Sequence, residues 1–241
     1  YDDPENQAQG IVQLNLTKDG NVIVFGSADS GKETLISSFV YDTMTTYSTN
    51  EAQIYILDFG SEALKIFKNS PTVGDVIFAS DDEKLSRFFG MIEKEIKTRK
   101  AILSEYNGDY NIYVKTSGNP MPMIINIING YEAFMEMYED KYEDLILSLT
   151  RDGSKYGIMF ILTAGASNDV RYRLQQNFKQ KIALQMNNDD DYFNIFDKVG
   201  KKRPSHLFGR GLIPLNDGTI YEFQTAKICE PQNWNIFIKE E

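Results

Sequence analysis

Apolar residues fall along this chain in two alternating rhythms. Short runs with little polar interruption, Asn21-Val22-Ile23-Val24-Phe25, Gln53-Ile54-Tyr55-Ile56-Leu57, Met123–Ile128 and Gly157–Thr163, have the pattern of strands buried on both faces. Between them lie stretches with helical spacing. Leu85, Phe88, Phe89, Ile92 and Ile96 make one stripe of a helix that runs to about Tyr106. Asp81-Asp82-Glu83 opens it, and the helix dipole favours carboxylates there. Leu35 begins a helical run to about Thr46, and Tyr131–Thr150 forms a second long helix. Shorter elements follow the same alternation: a strand at Val76–Ala79, a helix near Val170–Phe178, a strand at Lys181–Met186 and a helix near Asp190–Phe196. Gly211–Leu215 and Thr219–Phe223 pair as a hairpin around Asn216-Asp217-Gly218. Ile11–Leu16 alternates apolar and polar and predicts an edge strand, whereas polar Tyr1–Gln9 predicts a linker or frayed end. Asn107–Pro122 carries loop signals with a short helical turn. The expected class is α/β, a mostly parallel sheet with helices on both faces. The expected division is a tail over 1–10, one domain over 11–230 and a tail over 231–241.

Composition narrows the functional classes. The chain has 241 residues and a net charge of −10, which repels a nucleic-acid backbone unless a basic face compensates. Its basic clusters, Lys97-Thr98-Arg99-Lys100 and Lys201-Lys202-Arg203, are short and read as solvated surface. One cysteine, Cys229, and one histidine, His206, leave no internal disulfide and no Cys- or multi-His-based metal site. The apolar runs are too short to cross a bilayer. The first residue is Tyr1 rather than Met, so a piece of a longer polypeptide is expected.

One motif carries chemistry. Gly26-Ser27-Ala28-Asp29-Ser30-Gly31-Lys32-Glu33-Thr34 keeps the G-x-x-x-x-G-K skeleton of a phosphate-binding loop between a strand and a helix. Its glycines let backbone N–H groups turn toward phosphate, the helix N-terminus adds positive potential, and Lys32 neutralises the outer phosphates. Glu33, however, stands where a Ser or Thr hydroxyl would ligate Mg²⁺. A like-charge contact at ~4 Å costs about 4 kcal/mol at an effective dielectric near 20, and Asp29 adds a second charge. Glu33 can also ligate Mg²⁺ itself, which softens that repulsion. Thr34 lies about 100° further round the helix and does not replace the hydroxyl. Weak binding of ATP and Mg²⁺ is expected.

The second half of such a site is a strand ending in Asp, then an acid that positions water. Here the strand ends in Asn129-Gly130, with Glu132 two residues on as a candidate that also reads as a helix N-terminal acid. Asp58 fits a substitute acid and equally a turn-former before Phe59-Gly60. Thr163 fits a γ-phosphate sensor and equally a strand-end Thr. Arg151 fits an arginine finger for a neighbouring subunit and also an ordinary surface arginine. The abundant Tyr and Phe suit a core, and they also suit a peptide-binding pocket.

These segments in this order resemble the FtsK/SpoIIIE-type ATPase domains. The resemblance spans roughly Gly20 to Ile228 and rests on several segments besides the loop. They are Leu57-Asp58-Phe59-Gly60, Asn69-Ser70-Pro71-Thr72-Val73-Gly74, Arg151-Asp152-Gly153-Ser154-Lys155-Tyr156-Gly157-Ile158 and Gly209-Arg210-Gly211-Leu212. Within that group the chain is similar to the C-terminal ATPase modules of type VII secretion coupling proteins, the EssC/EccC family, and most similar to a degenerate third module. The resemblance implies a RecA-like P-loop NTPase fold and a cytoplasmic domain of a protein anchored in the bacterial membrane. It also implies secreted WXG100-type substrates, a neighbouring ATPase domain in the same polypeptide, a hexamer of the full-length protein and no nucleic-acid partner. Glu33, Asn129 and Gly130 depart from the active pattern, which points to weak or absent hydrolysis. The alternatives are an active ATPase, with Glu33 on Mg²⁺ and Asp58 as the acid, and less favourably a DNA translocase.

Overall fold

The uninterrupted apolar runs become the middle of one sheet. The computed structural model describes residues 1–3, 6–215 and 218–228. In chain order its elements are β1 (Asp2–Asp3), β2 (Ala8–Gln9), α1 (Leu16–Asp19), β3 (Val22–Phe25), α2 (Lys32–Thr46), β4 (Ala52–Asp58), β5 (Val73–Phe78), α3 (Asp82–Leu103) and α4 (Tyr110–Thr116). They continue with β6 (Met123–Asn129), α5 (Tyr131–Asp152), β7 (Ile158–Ala164), α6 (Tyr172–Gln175), β8 (Gln180–Ala183), α7 (Asp190–Ile195), β9 (Arg210–Pro214) and β10 (Ile220–Gln224). The ten strands lie in the order β2-β1-β10-β9-β8-β3-β7-β6-β4-β5. From β8 across to β5 every pairing is parallel, and from β8 outward through β9, β10, β1 and β2 every pairing is antiparallel.

Alternation along each central strand sends side chains into two separate cores. Val22 and Val24 join Leu35, Ile36 and Val40 of α2 on one face. Ile23 and Phe25 join Phe89 of α3 and Ile146 of α5 on the other. This is why the strands read as continuous apolar runs: neither face meets water. Buried Asn21 anchors the start of β3. Its amide donates to the carbonyls of Thr150 (2.7 Å) and Asn177 (3.1 Å), and its oxygen accepts from Phe160 N–H (2.8 Å). Arg99 of α3 departs from the solvated surface expected for its cluster: it is only 1% exposed. Its guanidinium donates to Glu95 and to the carbonyls of Pro122 (2.7 Å) and Tyr156 (2.9 Å) just ahead of β6 and β7.

Three sequence expectations are corrected. Ile11–Leu16 forms no strand: it runs irregularly into α1, capped by the Asn15 side chain accepting from Lys18 N–H, while Val12 and Leu14 pack on the α2-side core. The polar N-terminus does not simply fray. Asp2 pairs with Glu222 of β10, Asp2–Asp3 pairs with Ala8–Gln9, and the Asp2 carboxylate accepts from Arg210 (2.7 Å). The helix expected at 170–178 contracts to α6, because Gln175 turns its amide back onto the carbonyls of Ser167 and Val170. β9 and β10 pair antiparallel as a hairpin, while Asn216-Asp217 at its tip, Cys229 and the tail over 231–241 lie outside the described residues.

Candidate functional site

β3 lies between β7 and β8, where successive connections leave to opposite sides of the sheet, so a crevice opens at its C-terminal end. The loop 26–31 fills this position. Gly26 N–H donates to Ala164 O (3.0 Å), Ser27 N–H to Gln185 O (2.7 Å) and Gly209 N–H to Ser30 O (3.1 Å), so three neighbouring segments hold the loop. Asp29 sits in the left-handed region at φ 57°, which Asp tolerates, and Gly31 at φ 103°. A Cβ on Gly31 would lie 3.0 Å from Gly209 Cα, so glycine is required for the two backbones to meet. No side chain caps α2, whose first N–H groups are left for a ligand.

Lys32 Nζ folds back onto the loop, donating to Gly26 O (2.5 Å) and Ser27 O (2.9 Å). Burial holds its pKa below the ordinary lysine value, opposed by the nearby carboxylates of Glu132, Glu33, Asp169 and Asp29. A phosphate has to compete with two carbonyls for this ammonium and enters among acids. Ala28 is exposed and Thr34 half-buried, and neither has a hydrogen bond that bears on the loop's chemistry.

The metal side of the site is built differently. Glu33 accepts from Ser61 Oγ (2.5 Å) in the turn after β4. Asp58 ends β4, 1% exposed, and accepts from Gly60 N–H (3.2 Å), Leu64 N–H (3.1 Å) and Asn129 Nδ2 (2.8 Å). Burial raises its pKa, while those donors pull it back. Asn129, opposite Asp58 in the β4–β6 register, spends its oxygen on the Thr163 hydroxyl (2.8 Å). Thr163 in turn accepts from Gly130 N–H (2.8 Å). Gly130 sits at φ 76°, and a Cβ there would lie 3.0 Å from Gly60 N and 3.1 Å from Phe59 C. A side chain at this position is strained by the positive φ and tight against that backbone. The phosphate cradle thus suits a nucleotide, while the metal side fits Mg²⁺ poorly: Glu33 stands where a hydroxyl would ligate it and bonds to Ser61, and Asp58, Asn129 and Thr163 are joined in one chain of hydrogen bonds.

Two candidates remain to be placed. Glu132, in the first turn of α5, faces Lys32 and Asp169. One of its carboxylate oxygens is buried without a partner, and burial raises its pKa. Arg151 is 58% exposed in the last turn of α5, a helix whose first turn lies at the loop, and it is paired with Asp152. The structure therefore gathers loop 26–34, Asp58, Asn129, Glu132 and Thr163, and leaves Arg151 apart.

The FtsK/SpoIIIE family model matches residues 4–219. The chain belongs to the FtsK/SpoIIIE family. It is 29% identical to the type VII secretion system protein EssC of Staphylococcus aureus (strain MRSA252) over its whole length, which is 16% of that protein. It thus spans about one-sixth of the curated relative it matches. Among solved structures it is similar to EssC ATPases 2 and 3 from Geobacillus thermodenitrificans, with TM-score 0.89, 25% identity, 99% of this chain and 47% of that one. It also shares its fold with Thermomonospora curvata EccC ATPases 2 and 3 in complex with a signal sequence peptide, with TM-score 0.78, 21% identity, 94% of this chain and 43% of that one. As in the rest of this P-loop superfamily, the fold is one built for nucleotide with Mg²⁺. No described helix is long and apolar enough to cross a membrane.

Several residues at the site carry no sequence motif. Ser61 becomes relevant only when the turn after β4 is folded beside α2. Phe208 and Gly209 reach the loop from between α7 and β9. Their one sequence signal is two large apolar residues, Leu207-Phe208, in an otherwise polar loop.

Proposed function

We propose that this domain is a substrate-docking module of a type VII secretion motor, keeping its phosphate loop as a weak nucleotide site and hydrolysing little or no ATP. The observation that carries this reading is Gly130. At the position where an active site would place a water-positioning acid, the backbone is left-handed, and a Cβ would be strained there and held tightly, at 3.0–3.2 Å, against the 59–60 backbone. In this reading the chain is one ATPase module among several on the cytoplasmic side of a membrane-anchored protein that assembles as a hexamer, and its partners are secreted WXG100-type proteins. The docking place we assign is a cavity of about 840 Å³ at the opposite strand edge, lined by Leu14, Phe39, Tyr47, Tyr110, Val114 and Met121. Its apolar and aromatic side chains, set among polar ones such as Asn15, Asn50 and Asn119, suit an extended export-signal peptide, which offers both side chains and backbone groups. Phosphate release from Mg·ATP by the 241-residue chain should equal that of Lys32→Ala, while a synthetic export-signal peptide binds saturably without nucleotide. Turnover that depends on Lys32 would sink the reading.

One observation favours a second reading, an active ATPase. Glu132 is a half-buried carboxylate with a raised pKa and a free oxygen facing Lys32, as a general base would be. Turnover lost in Glu132→Gln would establish it.

A further inference from the structure

The two flanks of the phosphate loop differ in what they offer a ligand. On the β7, β6 and β4 side stand the bonded polar groups of Asp58, Asn129 and Thr163, with Glu33 between them and the loop. On the β8, β9 and β10 side stands the segment 205–209, where the apolar Leu207 and Phe208 follow the polar Ser205 and His206. Leu207 and Phe208 are each 58% exposed. The Phe208 ring lies 3.6 Å from where a Cβ on Gly31 would sit, which puts it against the loop itself. It has no ring contact with any other described residue.

This segment is held from many directions. Gln185 Nε2 donates to the carbonyls of Ser205 (2.9 Å) and Leu207 (3.1 Å), and Gln185 O accepts from Ser27 N–H in the loop. Gln224 Nε2 donates to Phe208 O (3.0 Å), Ser205 N–H to Glu222 Oε1 (2.7 Å) and Thr225 N–H to Gly209 O (2.8 Å). A lone exposed phenylalanine needs no explanation. A phenylalanine fixed on a braced backbone, edge to edge with a phosphate loop and open to water, is a preformed stacking surface.

Topology then sets the direction of a bound nucleotide. With phosphates in loop 26–33 and the terminal phosphate toward the ends of β6 and β7, the nucleoside leaves on the β8–β10 side. We infer that Phe208 is a stacking platform for the base of a nucleotide, and that the base holds a larger share of the ligand here than the phosphates do. The inference rests on the reading that the loop still takes a nucleotide. The second half of the inference follows from charge: one lysine, engaged by two carbonyls, faces Asp29, Glu33, Glu132 and Asp169, so each added phosphate gains little. Base–aromatic stacking corresponds to about a tenfold change in affinity.

The test compares ATP, AMP and inorganic tripolyphosphate on the wild-type chain, Phe208→Ala and Lys32→Ala, with saturation-transfer NMR as the readout because it reports weak binding and resolves the base protons. Phe208 is exposed, so Phe208→Ala should fold, and far-UV circular dichroism checks this. In wild type the adenine protons should receive the strongest saturation, and AMP should bind within about threefold of ATP. Phe208→Ala should weaken ATP and AMP about tenfold and leave tripolyphosphate unchanged. Equal ATP affinity in wild type and Phe208→Ala, with Lys32→Ala weakened, overturns the platform and leaves the nucleotide reading standing. No binding of ATP or tripolyphosphate to wild type at millimolar concentration overturns both. Loss of tripolyphosphate along with ATP in Phe208→Ala also overturns the platform, since the substitution would then act through the loop.

Discussion

The loop after β3 and the strand ends of β4 and β6 face one crevice, yet they have kept different things. In the loop, the functional groups are backbone N–H donors, and these survive substitution of the side chains around them. Asp29 and Glu33 replace nothing that shapes the loop; Gly26, Gly31 and the braces from Ala164, Gln185 and Gly209 still set its path. At the strand ends, the functional groups of an active site would be side chains. Here the strand ends in Asn129 and Gly130, and the groups satisfy one another: Gly130 N–H to Thr163, Thr163 to Asn129, Asn129 to Asp58. A site carried by backbone donors depends little on which side chains surround it, whereas a site carried by side chains depends on each residue type and on the bonds it already makes.

Three substitutions sharpen or break this contrast. Gly130→Ala should have the largest effect, lowering stability by about 2–4 kcal/mol, since both the positive φ and the Phe59-Gly60 backbone oppose a Cβ. Urea unfolding measures it, and a loss under 1 kcal/mol would mean the turn yields easily and the position is open to an acid. Asn129→Asp comes next. It sets a second carboxylate 2.8 Å from Asp58, whose pKa burial already raises. One of the two must then hold a proton in the fold that it releases when unfolded. The deficit relative to wild type should be about 2 kcal/mol at pH 7. It should grow as pH rises through the window above the usual Asp value of 3.8, and shrink as pH falls toward that value. Stability matching wild type at pH 7 would show that the network admits the charge. Arg151→Ala, far from both regions, should change stability by no more than about 0.5 kcal/mol, because its partner Asp152 is also solvent-facing.

Most of the parallel sheet was legible because strands buried on both faces have no choice of residue type: β3, β4, β6 and β7 all fall where the apolar runs do. The periphery was not, for specific reasons. Ile11–Leu16 alternates like an edge strand, but its inward side chains reach the α2-side core from an irregular backbone. The strand β1 owes its place to Arg210, a partner 208 positions away that no local pattern reveals. The site divides in the same way. The loop and its Glu33 substitution were visible as letters, and so were Asn129 and Gly130. That a Cβ at Gly130 would press on the 59–60 backbone, that Asn129 is spent on two partners and that Phe208 abuts Gly31 are all facts about chain segments brought together by the sheet.

Arg99 ties the fit of one helix to two distant stretches of chain. A guanidinium sheds its water at a cost of several kcal/mol and recovers it only from partners already in position. Its carbonyl partners Pro122 and Tyr156 stand 23 and 57 positions along the chain and belong to the approaches of β6 and β7. The buried seat of α3 is therefore complete only when the approaches to both strands are in place, so a change at either approach would leave a guanidinium stranded out of water.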